Sequence, residues 1–227
     1  MKSIRLTEQH VPGKRLGRHV HHDPRSWGHP AAMAPRIISV MHKRLVPVFD
    51  QGSLGSCCGN AAVGCISTAP FAHQGTENEA VDVYSAATKI DDVSGVYPPD
   101  DTGSSGIAVM KVLKARGLIK GYSHTFSLDS ALRALVLRPG ITGLSWREGC
   151  DSPDASGEVV YDGEIRGGHE IELAGIDASA RRASERLVWF WNSWGASWGA
   201  GGMFSMSWGD YEAALADHGD ATFPLAA

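Results

Sequence analysis

The apolar pattern of this 227-residue chain changes period near Pro139. Before it, four segments carry apolar residues at helical spacing. Residues 56–69 are small or apolar (Cys57, Ala61, Ala62, Val63, Cys65, Ile66) and end before Pro70. Residues 79–90 place Val81, Val83, Tyr84 and Ala87 on one face, 106–116 are closed by Gly117, and 128–137 stop before Pro139. After Pro139, residues 141–146, 158–161, 170–176, 187–192 and 203–208 read as strands. Residues 91–105 form a loop dense in Asp, Pro, Gly and Ser, and 44–49 a short extended entry strand. Helices first and strands later predict an α+β fold of two lobes, a helical one over about 50–138 and a β-rich one over about 139–215.

Residues 1–44 stand apart from this pattern. They hold nine Lys/Arg against Glu8 and Asp23, and six of the ten histidines, His19, His21 and His22 among them. The rest of the chain holds twelve basic and twenty-three acidic residues. The expectation is a basic N-terminal extension lying on an acidic body, with one domain over 45–227. An overall formal charge of −4 gives no reason to expect nucleic acid as a partner. The histidines lack a cysteine or spaced carboxylate to complete a metal site, so they are read as a solvated extension and no metal is expected.

Three of the four cysteines, Cys57, Cys58 and Cys65, fall within nine residues, and Cys150 stands alone. That is no disulfide framework, and a reducing compartment is expected. The N-terminus has no apolar signal core, and no stretch approaches the roughly 20 apolar residues of a membrane span. A cytoplasmic protein without membrane association is therefore expected.

The chemistry concentrates in three short segments. Gln51-Gly52-Ser53-Leu54-Gly55-Ser56-Cys57 puts a thiol at a helix start, where the helix field depresses its pKa, and an amide donor in the loop before it. Gly167-Gly168-His169 opens an apolar strand, and its glycines leave room for a peptide backbone beside the imidazole. Asn192 closes the strand after Leu187; its side-chain carbonyl can orient one ring nitrogen and leave the other for sulfur, with Trp194 covering that bond. A thiolate, an imidazole and an orienting group are the parts of nucleophilic catalysis. The Gln51 amide and the Cys57 N–H are suited to hold a developing oxyanion. Cys65 is read as core, Cys150 as a free loop thiol, and His73, His124 and His218 as surface or packing residues.

These segments resemble the papain family of cysteine peptidases, whose members carry Gln-Gly-x-x-Gly-Ser-Cys, a Gly-His or Asp-His opening a strand, and Asn-Ser-Trp-Gly-x-x-Trp-Gly. The counterparts here are Gln51 to Cys57, Gly168-His169, and Asn192-Ser193-Trp194-Gly195-Ala196-Ser197-Trp198-Gly199. The resemblance spans residues 45–215 and is weakest between 70 and 140. It implies a papain-like two-lobed fold, helix-rich first and antiparallel β-rich second, with the active site in the cleft between them. It implies hydrolysis of peptide or protein substrates through a thioester, with Cys57 as nucleophile, His169 as acid/base, Asn192 as orienting group and Gln51 in the oxyanion hole. It places Gly103, Ser104 and Ser105 where family members bind substrate backbone, and Gly143 and Gly168 near the side-chain pocket, with Trp194 beside the imidazole. No cofactor and a monomer are implied, in a compact bacterial or phage style.

The chain also departs from the family. Cys58 stands where Trp is usual, and Leu54 stands where a disulfide cysteine is usual. Cys57 and His169 are 112 residues apart, shorter than the usual gap. Only fifty residues precede Gln51, too few for the usual helical prosegment, yet residues 1–44 can still occupy the cleft. Two other readings stay open: the same dyad used as a deamidase or isopeptidase, and a non-catalytic binding or virion-associated protein.

Overall fold

The computed structural model describes residues 2–9, 13–125 and 127–226. In chain order the elements are β1 (Ile4–Arg5), β2 (His19–Val20), β3 (Val40–Met41), α1 (Cys57–Ile66), α2 (Glu77–Ala87), α3 (Gly106–Ala115), β4 (Ile119–Thr125), α4 (Leu128–Leu137), β5 (Gly140–Arg147), β6 (Ile165–Asp177), β7 (Leu187–Trp191), β8 (Met203–Ser207), α5 (Trp208–Ala216) and β9 (Asp220–Ala226).

Every residue of α1 is buried, as its uniformly small and apolar sequence requires. It packs against α2 and α3 on one side and β6 on the other. A cluster containing Val63, Ile66, Val83, Val109 and Leu113 forms the core of this half. The flanking helices start at side-chain caps that satisfy otherwise orphaned N–H groups: Thr76 accepts from Glu79, Ser105 from Ala108, and Ser127 exchanges bonds with Ser130.

The other half is built on a seven-stranded sheet, ordered β4-β9-β5-β6-β7-β8 with β3 added on β6. All its pairings are antiparallel. Trp146, Phe190, Phe204, Tyr211 and Phe223 fill the second core. The expected α+β class is what the structure shows, with α1 to α4 in the first part of the chain, most of the sheet after them, and two cores meeting along α1 and β6.

Besides the two-residue strands β1 to β3, three elements escaped the sequence pattern. β4 is Ile-Lys-Gly-Tyr-Ser-His-Thr, with no clean alternation; it becomes a strand by pairing with β9. β9 itself contains Pro224. The expected strand 203–208 ends at Ser207, whose hydroxyl accepts from the Asp210 N–H and starts α5 at Trp208. Two expected strands are absent. Residues 158–161 make only an isolated bridge from Glu158 to Ser205, and 44–49 only one from Arg44 to Thr68. Glu158 meets the strand β8 at a single position, and Arg44 meets the segment just after α1 at a single position. Cys150 is a free thiol between β5 and β6, buried at the end of a 3-10 turn (Glu148–Cys150). All four cysteines are unpaired. No helix among the described residues is long and apolar enough to cross a membrane.

Candidate active site

Cys57 is the first residue of α1 and has no exposed surface. His169 lies on β6, opposite Leu144 of β5, and is equally buried. The contact between α1 and β6 therefore brings the thiol and the imidazole together from positions 112 residues apart. His169 Nε2–H donates to Asn192 Oδ1 at 2.8 Å, and the Ser193 N–H donates to the same oxygen at 2.7 Å. The shared acceptor fixes the amide orientation and leaves His169 Nδ1 with no nitrogen or oxygen partner. Trp194 stacks on the imidazole, ring centroids 4.9 Å apart and planes 21° apart, and Trp146 meets it edge-on at 4.9 Å. Two indoles thus hold the ring and keep water from it.

The two adjacent thiols have opposite characters. Burial opposes ionisation of Cys57, but the Cys58 thiol and the His169 imidazole bond to its sulfur and hold its pKa well below the ordinary value. Burial and the neighbouring Cys57 push Cys58 well above it. Cys58 Sγ lies 3.2 Å from the Ser104 carbonyl, against the loop before α3. Cys65 is likewise pushed up by burial and sits in the core.

Gln51 is placed by the Asn192 segment itself. Its backbone N–H donates to the Ser193 carbonyl at 2.9 Å, and its Oε1 accepts from the Ser193 hydroxyl at 2.6 Å. The Gly195 N–H donates to the Phe49 carbonyl at 3.0 Å, closing the clip. Gln51 Nε2 donates to the carbonyls of Leu54 at 2.7 Å and Arg15 at 3.0 Å. The second acceptor belongs to the N-terminal arm.

That arm is not the solvated extension expected from its composition. Its residues 14–19 are bonded to both halves, with β2 starting only at His19. Arg18 N–H donates to Gly168 O at 2.9 Å, His19 N–H to Ser104 O at 2.7 Å, and Ser104 N–H to Gly17 O at 2.8 Å. Lys14 Nζ lies 4.3 Å from the centre of the Trp194 ring, and Leu16 is buried in the core beside Trp146. His19 is buried with Nε2 2.6 Å from the Thr102 carbonyl. Among the described residues no group of three or more potential ligands could hold a metal ion.

Of the residues expected around a substrate, Gly168 and Ser104 hold the arm by their backbones. Gly103 has φ +74°, and a Cβ there would stand 2.2 Å from Gly17 O, so a side chain would bar the arm. Gly143 lies against the Arg18 guanidinium. Ser105 instead caps α3.

Several residues at the site carry no linear signal. Ser193 sits in a motif but its bond to Gln51 spans 142 residues. Arg18, Glu170 and Asp220 converge from three distant segments. Glu172, two strand positions from Glu170, is fully buried and pairs with Arg44 at 2.7 Å and the Thr68 hydroxyl at 2.5 Å. This cluster ties β6 to Thr68, two residues past the end of α1. Burial pushes the Glu172 pKa up, and Arg44 and Thr68 oppose it.

No protein-family model and no curated protein sequence matches the chain. Its fold, however, is papain-like. Xylellain, a cysteine protease from Xylella fastidiosa, superposes with a TM-score of 0.68 at 18% identity, over 96% of this chain and 99% of that one. A recombinant stem bromelain precursor gives 0.55 at 13% identity, over 94% and 75%. Digestive procathepsin L 3 of the Tenebrio molitor larval midgut gives 0.53 at 14% identity, over 86% and 73%. At these identities the likeness is one of fold.

Proposed function

We propose that the protein is a cysteine peptidase, held latent by its own residues 14–19. The observation that carries this reading is the His169 ring: one nitrogen bonded to Asn192, the other free of nitrogen and oxygen partners, beside a thiol whose ionisation it favours. A thiolate–imidazolium pair is the resting state suited to attack on an amide.

With the arm displaced, Cys57 sulfur attacks the substrate carbonyl carbon and a C–S bond forms. The carbonyl oxygen takes the negative charge, and the Gln51 amide with the Cys57 N–H stabilises it. His169 gives its proton to the leaving nitrogen, the C–N bond breaks, and an amine departs from a thioester. Water then attacks the thioester while His169 takes its proton; the C–S bond breaks, a carboxylic acid leaves, and the proton returns to the thiolate–imidazole pair. Asn192 keeps the imidazole in the required tautomer and orientation.

The arm supports latency rather than lost function. Its backbone bonds to Gly168, Ser104 and the Gln51 side-chain amide, the groups that would hold a peptide. Iodoacetamide labelling with peptide mapping tests the reading. Alkylation of Cys57 that accelerates in Arg18→Ala, together with peptide cleavage lost in Cys57→Ala, is the expected result. Equal labelling of Cys57→Ala would overturn it.

A further inference from the structure

Arg18 is the most anomalous residue of the arm. It belongs to a segment rich in charge and glycine, yet its side chain has no exposed surface. Burying a guanidinium demands compensating charge. The body supplies two carboxylates: Arg18 Nη2 donates to Asp220 Oδ2 at 2.6 Å and to the His218 carbonyl at 2.9 Å, and Nε lies 3.7 Å from Glu170 Oε2.

These acids sit in one row of the sheet. Gly143 on β5 is in register with Asp220 on β9 and with Glu170 on β6. The row across three strands is thus acid, glycine, acid. A Cβ on Gly143 would lie 2.1 Å from Arg18 Nε and 2.6 Å from Cζ, so the missing side chain is the slot in which the guanidinium lies. The recess is a feature of the body, built by residues outside the arm. It also opens where a bound peptide would place a side chain, because the residue filling it is the one whose backbone bridges Gly168 and Ser104.

We propose that this recess is a substrate side-chain pocket of the Cys57 site and that it selects arginine; the proposal rests on the peptidase reading above. A planar guanidinium can reach both carboxylates across the Gly143 slot, whereas a lysine ammonium is a compact, strongly hydrated point charge. Withdrawal of the arm leaves two acids facing a buried slot with no cation in it, an arrangement that favours uptake of another. Arg18 fills the slot imperfectly. Its Nε and Nη1 and Glu170 Oε1 make no hydrogen bond, so a peptide arginine placed slightly differently can match or exceed it. The arm is then a competitor that carries the substrate's own side chain.

The test uses the full-length chain with Arg18→Ala, or Arg18→Met should the alanine variant not fold. Its melting temperature is followed against N-acetyl-arginine amide, with the lysine, citrulline and leucine amides as controls. A saturable rise with the arginine compound alone, lost when Asp220→Asn is added, is the expected result. In parallel, fluorogenic peptides with arginine or leucine at each position are compared. The expected preference for arginine at one position is at least about tenfold in kcat/KM, and Asp220→Asn collapses it. Cleavage without an arginine preference overturns the pocket and leaves the peptidase reading intact. An arginine-selective melting shift with no cleavage and no Cys57 labelling supports the guanidinium slot and overturns the peptidase reading.

Discussion

Gln51 donates its side-chain amide to the Arg15 carbonyl 3.0 Å away, so the group suited to a reacting carbonyl oxygen already holds one from its own chain. Its other end is locked by the Ser193 hydroxyl at 2.6 Å. Such a donor needs no reorganisation when a substrate carbonyl replaces that of Arg15. Gln51→Ala, in the Arg18→Ala background, is expected to lower kcat by about 10²- to 10³-fold. Steady-state cleavage of a fluorogenic peptide measures it; an unchanged kcat would remove Gln51 from the oxyanion site.

Latency has its own signature. Cys57 has no exposed surface, so alkylation of the wild-type chain requires an opening, which on the proposed reading is withdrawal of the arm. Arg18→Ala removes the partly buried ion pair with Asp220 and should raise the Cys57 alkylation rate at least about tenfold. A rate no faster than wild type would show that the arm does not guard the thiol.

On the proposed mechanism, Asn192 acts through His169. Asn192→Ala removes the acceptor 2.8 Å from Nε2 and frees the ring to rotate. In the opened enzyme, kcat should fall by about 10²-fold while KM changes little, since the ring's orientation serves the proton transfers. A large rise in KM with kcat retained would mean that Asn192 serves binding instead.

The pH profile of alkylation follows from the direction of the Cys57 shift. Burial raises its pKa, but the Cys58 thiol and His169 outweigh that and bring it well below the ordinary value. The reactive thiolate therefore persists as pH falls through about 8.5, where a free cysteine protonates, and is lost only at lower pH. His169→Ala removes two of the lowering influences, the bond and the charge, and should move the midpoint upward. Identical profiles in the two proteins would argue against the pair.

Stability depends on the cluster that ties α1 to β6. Arg44 and Glu172 are both buried and 2.7 Å apart. Arg44→Ala leaves the carboxylate without its cation and should lower unfolding free energy by about 3–5 kcal/mol, read by urea denaturation. Adding Glu172→Gln should recover part of that loss, because the orphaned charge is gone. No recovery in the double variant would show that Arg44 acts through packing alone.

The parts of the site were legible in the sequence wherever a local motif carries them. Gln51, Cys57, His169 and Asn192 each sit in a short segment whose residue types suit their chemistry, and α1 and α4 were legible from apolar spacing and their stops. β4 was not, because its strand character comes from pairing with β9 and not from its own alternation. The arm misled for a related reason. A segment of Lys, Arg, His and Gly reads as solvated, and only the two carboxylates that meet Arg18 make its burial favourable.

By itself, then, the sequence determined the class of fold, the helices α1 to α4, the strands β5 to β8, and which thiol lies six residues after Gln51. Those properties depend on nearest neighbours along the chain: helical and strand periodicity, caps, and glycine-rich turns. The tertiary structure alone decided that the arm fills the cleft, that Cys57 and Cys58 are pushed in opposite directions, and that Glu170, Gly143 and Asp220 form one row. These properties depend on electrostatics and hydrogen bonds between segments up to 202 residues apart, and strand register, which no linear pattern records, sets them.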